Sequence, residues 1–121
     1  MDDAVTVKKA GNSYVVGVHV SDVSYFIAKG SGLDESAAAR GMSVHPDPKL
    51  IATLPMFPKE LASELCSLVA GKDRLAITVI FTVSEDGKMT KAPDIHRSIV
   101  SSRSQMSYEQ CTKVGNLFIS W

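Results

Sequence analysis

Two runs of β-branched and aromatic residues, separated by Gly11-Asn12, most constrain how this chain can fold. Residues 4–9 and 14–27 are rich in Val, Tyr, Phe and Ile, the residue types that favour extended strands. A short glycine-containing pair between two such runs is typical of a hairpin turn. The pattern therefore predicts two antiparallel strands, the second of which is buried over most of its length.

Two further strands are predicted in the second half of the chain. Over 74–83, large apolar residues alternate with smaller or polar ones, which predicts a strand with one face on the core. Residues 95–103 fit a fourth strand, and Asp86-Gly87 supplies a turn between the two. The expected fold class is α+β, built on antiparallel strands with short helices.

Helix signals lie between and after these strands. Ser31, with Asp34 three residues later, predicts the start of a helix, and Gly41 predicts its end. Over 58–71, an initial proline and leucines at helical spacing predict an amphipathic helix. Residues 107–110, Ser-Tyr-Glu-Gln, form a capping-box pattern that predicts the start of a last helix.

A proline-rich segment, HPDPKLIATLPMFP over 45–58, separates the first two predicted helices. Proline disrupts a helix interior and cannot donate a hydrogen bond in a central strand. The segment is therefore predicted to be an extended surface loop, and loops of this kind often line functional sites.

Composition narrows the functional classes. Thirteen basic and thirteen acidic residues cancel in the 121-residue chain, so any nucleic-acid binding must depend on local geometry. Cys66 and Cys111 lack Cys-x-x-Cys spacing and are predicted to be reduced core residues. No apolar run approaches the roughly 20 residues of a membrane span, and no signal-peptide pattern begins the chain. We therefore expect one domain of an intracellular protein, in the cytoplasm or the nucleus, with no membrane or DNA partner.

The residues that could carry chemistry give weak signals when each is taken alone. Asp2 and Asp3 could present oxygen ligands to Mg²⁺, but an adjacent carboxylate pair is more often simply solvated. The three histidines show no metal-ligand spacing, and His19, among valines, is predicted to be a hydrogen-bonded core residue. Arg97 and Arg103 could contact phosphates, or they could protect an exposed strand edge from aggregation.

Six segments follow one another in a distinctive order and spacing. They are DDAVTV, VGVHVSDVSYFI, GSGLDESAAARGMSV, LPMFPKELASELCSL, DRLAITVIFTVSEDGK and RSIVSSRSQMSYEQ. Together they resemble the opening part of the RNB catalytic domain of the ribonuclease II/R family. The segment VGVHVSDVSYFI is most similar to eukaryotic members, which include the catalytic subunit of the exosome. Residues 1–114 are accordingly expected to form a partial RNB domain, and 115–121 an atypical tail.

The resemblance implies a processive 3′-to-5′ exoribonuclease that uses Mg²⁺ and releases nucleoside 5′-monophosphates. The metal site of the family has the pattern Asp-x-x-x-x-x-Asp-x-Asp-Asp. Asp2 and Asp3 match its final pair, which implies that Asp2 is the most critical catalytic residue and Asp3 a metal ligand. The two earlier aspartates have no counterpart before Met1. A truncated and inactive fragment is therefore expected, since two carboxylates cannot hold two ions.

The resemblance also implies single-stranded RNA as a partner and, for the parent protein, exosome subunits. Family members commonly carry a stacking tyrosine where this chain has His45, whose ring can still stack on a base. His45, Arg97 and Arg103 are the predicted RNA contacts. The alternatives are a catalytically inactive RNB-derived protein that binds RNA or a partner, and an α+β domain without an RNA role. Because cutting such a domain uncovers apolar faces, the isolated chain is also expected to self-associate.

Overall fold

A computed structural model of the chain describes residues 3–44, 54–107 and 109–110. Its centre is a four-stranded sheet in the order β1-β2-β3-β4, in which each neighbouring pair is antiparallel. The strands are β1 (Ala4–Ala10), β2 (Ser13–Ser21), β3 (Asp73–Ser84) and β4 (Asp94–Ser101). The expected α+β fold, with antiparallel strands and short helices, is confirmed.

Glycine turns connect both hairpins of the sheet. Ala10 pairs with Ser13, so the first loop contains only Gly11 and Asn12. Gly11 has a φ of +61°, and a glycine with positive φ at the first loop position is typical of the type II′ turn, which matches the twist of the two strands. The connection between β3 and β4 turns at Gly87, whose φ is +82°. Both predicted turn positions are confirmed.

The second strand is shorter than predicted over 14–27. β2 ends at Ser21, and a short helix, α1 (Val23–Phe26), follows it. At the junction, the Ser24 hydroxyl donates a hydrogen bond of 2.6 Å to the Asp22 carboxylate. Such local bonds of Asp and Ser side chains compete with strand pairing. The prediction is wrong here because it weighed only the β-branched and aromatic composition of the segment.

Helix α2 (Gly32–Arg40) begins and ends where the sequence predicts. The Ser31 hydroxyl accepts a hydrogen bond of 3.3 Å from the Asp34 N–H, and Gly41 ends the helix in the left-handed region. The Asp34 carboxylate accepts from the N–H of Gly30, one residue before the donor that a capping box normally uses. These local contacts explain why the helix could be predicted from a few residues.

The amphipathic helix predicted over 58–71 is reduced to a π-helical segment, Glu60–Leu65. Cys66 and Leu68, which are buried, come after the segment has ended. The guanidinium of Arg74 donates to two backbone carbonyls near this end, so those carbonyls are satisfied without further helical turns. No helix within the described ranges has the length and apolar character needed to cross a membrane.

Two predicted segments extend past the limits of the described residues. Val44, before the proline-rich segment, forms a backbone bridge with Leu54 within it, and residues 45–53 lie outside the described residues. Ser107 N–H donates to the Gln110 side chain over 2.8 Å, and Gln110 N–H donates to the Ser107 hydroxyl over 3.2 Å. The capping box is therefore confirmed, whereas the rest of the last helix and Cys111 lie outside the described residues.

The two faces of the sheet differ in polarity and in burial. One face carries Thr6, His19, Thr78 and Ser98, and His19 and Thr78 are buried. The opposite face is mainly apolar but also carries Arg97. Four of its apolar side chains remain exposed: Val5, Val20, Ile95 and Ile99. Exposed apolar surface of this kind favours association, and self-association of the isolated chain stays a prediction.

Candidate functional site

Asp3 is the member of the predicted carboxylate pair that the structure describes. It is exposed and immediately precedes β1, while Asp2 lies outside the described residues. Within 3–44, 54–107 and 109–110, no group of three or more His, Cys, Asp or Glu side chains could hold a metal ion. Asp3 therefore offers the type of oxygen ligand that Mg²⁺ prefers, but the described residues do not by themselves complete a metal site.

A chain of hydrogen bonds crosses all four strands on the polar face of the sheet. Thr6 Oγ1 lies 3.1 Å from His19 Nε2, and His19 Nδ1 lies 2.8 Å from Thr78 Oγ1. Thr78 Oγ1 is 2.5 Å from Ser98 Oγ, which is 3.5 Å from the carbonyl of Ala76. Each strand contributes one side chain to this cross-sheet chain. The prediction that His19 is a hydrogen-bonded core residue is confirmed.

A neutral imidazole satisfies both contacts of His19 in the cross-sheet chain. One ring nitrogen then carries a proton and donates to one threonine hydroxyl, and the other nitrogen accepts from the second threonine hydroxyl. Between Thr78 and Ser98, either hydroxyl can donate. Burial lowers the pKa of His19, and the charge of His96 lowers it further, which favours the same neutral form.

Gly17 leaves room for the first bond of the cross-sheet chain. A Cβ atom placed on Gly17 would overlap Thr6 Oγ1 and would lie 2.9 Å from His19 Nε2. Glycine inside a strand often marks a close approach of other groups. Here it allows two side chains from neighbouring strands to meet above the backbone.

The exposed Arg97 side chain forms an ion pair with the buried carboxylate of Asp22. Arg97 Nε lies 3.1 Å from Asp22 Oδ2, and Arg97 Nη2 donates to Ser24 Oγ over 3.2 Å. The Asp22 side chain is 3% exposed, whereas that of Arg97 is 66% exposed. The guanidinium is thus fixed on its inner side and open to solvent on its outer side.

The predicted site residues do not form one cluster. One row of paired residues crosses the four strands and consists of Ala4, His19, Thr78 and His96. Its ends are three strand spacings apart, or about 14 Å, with Asp3 next to one end and Arg97 next to the other. Arg103 is exposed beyond β4, and His45 lies outside the described residues. A ligand that contacts both Asp3 and Arg97 must therefore be extended.

Sequence reasoning missed the Asp22 anchor and the hydroxyl groups of the cross-sheet chain. The spacing of Asp22 and Ser24 is a signal for a local side-chain turn, and Gly17 between valines is a signal for close approach. Thr78 and Ser98 could not be found in this way, because their positions beside the histidine depend on strand register.

The sequence matches a known domain along nearly its whole length. The sequence profile of the RNB domain matches residues 1–117. The chain belongs to the RNB family. Ribonuclease R of Thermotoga maritima is 42% identical over 111 residues, which cover 90% of this chain and 15% of that protein. DIS3-like exonuclease 2 of Xenopus tropicalis is 38% identical over 117 residues, covering 96% of this chain and 14% of that protein.

The RNB fold of the chain also occurs in solved structures. Mycoplasma genitalium RNase R in complex with double-stranded RNA aligns with a TM-score of 0.84 at 25% identity, covering 94% of this chain and 20% of the other. Yeast Ssd1, a pseudonuclease, aligns with a TM-score of 0.79 at 24% identity, covering 97% of this chain and 14% of the other. The resemblance to the opening part of the RNB domain is confirmed, and the chain spans a small share of each of these proteins.

Proposed function

We propose that the chain is a segment of a 3′-to-5′ exoribonuclease and contributes carboxylates to its metal site. The observation that carries this proposal is the RNB match over residues 1–117, supported by relatives named Ribonuclease R and DIS3-like exonuclease 2 at 42% and 38% identity. In this proposal the parent protein degrades single-stranded RNA processively, inside the cell, and releases nucleoside 5′-monophosphates.

Asp2 and Asp3 are the proposed Mg²⁺ ligands, and catalysis depends most on Asp2. Carboxylate oxygens are hard ligands that suit Mg²⁺, which supplies an activated water and Lewis-acid stabilisation when bound. Two carboxylates cannot hold two ions, so the other ligands must come from residues outside this pair. The 121-residue chain alone is therefore inactive in this proposal.

Arg97, Arg103 and His45 are the proposed RNA contacts. The two arginines suit phosphate oxygens, and the histidine ring can stack on a base. The open outer side of the Arg97 guanidinium supports its part of this assignment. In the parent protein, exosome subunits are the proposed protein partners.

A catalytically inactive RNB-derived protein that binds RNA or a partner is the second candidate. The occurrence of the same fold in the pseudonuclease Ssd1 favours keeping it. The fold alone therefore does not decide between cleavage of RNA and binding without cleavage.

A chimera tests the first candidate against the second. This chain replaces the matching 111 residues of Thermotoga maritima ribonuclease R, and end-labelled single-stranded RNA is followed on gels with and without Mg²⁺. We expect Mg²⁺-dependent degradation that falls more than about a hundredfold in Asp2→Asn, since even groups that only support metal ligands contribute about 10–100-fold. Asp94→Asn, which alters an exposed carboxylate on β4, is the control and should keep its activity.

Three outcomes distinguish the candidates. Full activity of the Asp2→Asn chimera would contradict the metal assignment. Rapid degradation by the 121-residue chain alone would contradict the incomplete site. An inactive chimera that still binds RNA would support the second candidate.

A further inference from the structure

A cavity of about 380 Å³ lies beside α1, within the range of about 300–1,000 Å³ that is usual for small-ligand sites. Its lining combines cationic, aromatic and aliphatic side chains and includes Ser24, Ile27, Lys29, Asp34, Phe57 and Arg97. These residues come from α1 and the segment after it, from α2, from the segment after residue 54, and from β4. The fold therefore assembles a mixed polar and apolar pocket that no local sequence pattern contains.

Arg97 enters this cavity in a fixed orientation. Asp22 and Ser24 bind its Nε and Nη2 atoms, and the remaining N–H donors of Nη1 and Nη2 stay available for a ligand. The planar guanidinium can bind two oxygens of one phosphate. An arginine that is already held in place loses less side-chain entropy when it binds.

Lys29 and Phe57 add the other features that a nucleotide requires. Lys29 is exposed and forms no ion pair with any described residue. Phe57 is half-buried, and an aromatic side chain can stack on any base. The Asp34 carboxylate accepts a hydrogen bond from Gly30 N–H, and its negative charge repels phosphate. The phosphate is therefore expected near the cationic side chains of the lining.

We propose that this cavity binds one nucleotide of single-stranded RNA, with the phosphate on Arg97 and Lys29 and the base against Phe57. The inference rests on the proposed function, because the family assignment makes RNA the expected ligand. Phosphate contacts and stacking carry little base preference. Because Asp3 and Arg97 are the chain neighbours of the two ends of a row about 14 Å long, the bound nucleotide is distinct from the one at the proposed metal site.

Substitution of Asp22 shows whether this residue affects RNA binding through its charge or through the orientation of Arg97. Asp22→Asn makes the site more positive, so a purely electrostatic attraction would make RNA bind more tightly. If Asp22 instead orients Arg97, the same substitution weakens binding. Ser24→Ala removes the second anchor of Arg97 without changing charge, and it decides the question if Asp22→Asn does not fold.

The experiment measures fluorescence anisotropy of labelled single-stranded RNA with the 121-residue chain at several salt concentrations. We expect Lys29→Ala and Phe57→Leu each to weaken binding about fivefold. Only the lysine variant should make the salt dependence shallower, by about 0.7 in the log–log slope. Asp22→Asn and Ser24→Ala should also weaken binding. Lys91→Ala removes an exposed lysine outside the cavity and should stay within about twofold of wild type.

Each result supports or overturns a definite statement. Absence of RNA binding by the wild-type chain would overturn both the RNA part of the proposed function and this inference. If the wild-type chain binds RNA but Lys29→Ala and Phe57→Leu behave like Lys91→Ala, only the cavity assignment is overturned. Tighter binding by a folded Asp22→Asn variant would show that Asp22 does not orient Arg97 for RNA.

Discussion

Gly17→Ala should destabilise this protein, although replacing glycine by alanine usually stabilises a strand. The usual gain is about 0.5–1 kcal/mol, because alanine restricts the unfolded chain more than glycine does. At Gly17, however, the added Cβ would overlap Thr6 Oγ1 and would lie 2.9 Å from His19 Nε2. These two atoms form the first hydrogen bond of the cross-sheet chain.

The expected magnitude combines three contributions. Overpacking of a filled site costs about 1–3 kcal/mol, and loss of the bond between Thr6 and His19 costs about 1 kcal/mol more. The intrinsic preference for alanine offsets about 0.5–1 kcal/mol of this. The free energy of unfolding should therefore fall by about 1–3 kcal/mol. In a chain of 121 residues, this corresponds to a Tm lower by about 4–12 °C.

Urea unfolding followed by circular dichroism measures this change, with Gly32→Ala as the matched control. Gly32 begins α2, and its Cβ position has no atom within 4 Å. Alanine is preferred to glycine in a helix by about 1 kcal/mol, so the control should raise the urea midpoint. Gly17→Ala should lower the midpoint without changing the slope of the transition.

A Thr6→Ala background tests this explanation, because it removes the oxygen atom that the Cβ added by Gly17→Ala would overlap. In a Thr6→Ala background, Gly17→Ala should cost at least about 1 kcal/mol less than it does in wild type. An equal cost in both backgrounds, or a Gly17→Ala protein more stable than wild type, would show that Gly17 does not serve to accommodate the cross-sheet chain.

The free energy of unfolding should fall as the pH drops below about 6.5. Burial lowers the pKa of His19 in the folded chain, whereas an ordinary histidine has a pKa of about 6.5. The unfolded chain therefore binds a proton more readily than the folded chain in this pH range. Urea midpoints should show a smaller decline with pH in His19→Gln than in wild type. Cys66 should react slowly with a thiol reagent in a folded Cys111→Ser variant and much faster in denaturing urea, because burial raises the pKa of its thiol and limits access. Ser31→Ala should lower the free energy of unfolding by about 1 kcal/mol, since it removes the N-cap of α2, whereas Ser36→Ala within the same helix should have a smaller effect in the same urea assay.

Features of the fold that depend on neighbouring residues could be predicted from the sequence. Gly11 supplies the positive φ that its hairpin turn requires, and Ser31 and Gly41 bound α2 through contacts within a few residues. The helix predicted over 58–71 depends on a distant residue instead. The guanidinium of Arg74, on β3, donates hydrogen bonds to backbone carbonyls near the end of the π-helical segment. The spacing of the leucines does not predict that contact.

In the candidate site, too, local features could be predicted and long-range contacts could not. Two adjacent aspartates alone do not indicate a metal site, so the metal assignment of Asp2 and Asp3 depends on the family resemblance. The valines around His19 were enough to predict its burial, but its partners depend on the pairing of four strands. For Arg97, the sequence left phosphate contact and edge protection as equal alternatives. The structure adds Asp22, a buried partner from a distant part of the chain, which neither alternative included.

The burial of Asp22 is difficult to explain by stability alone. A carboxylate that is 3% exposed has lost most of its hydration, and attraction to a cation that remains largely in water repays that loss only in part. An apolar side chain of similar size could fill the same space without the loss. The carboxylate does, however, fix the inner side of Arg97 while the outer side stays open to the cavity. A fixed guanidinium suits the binding of an oxyanion, and the same pair also joins the end of β2 to β4, so RNA binding by Asp22→Asn and Ser24→Ala, measured beside their stability, separates a ligand-binding role from a structural one.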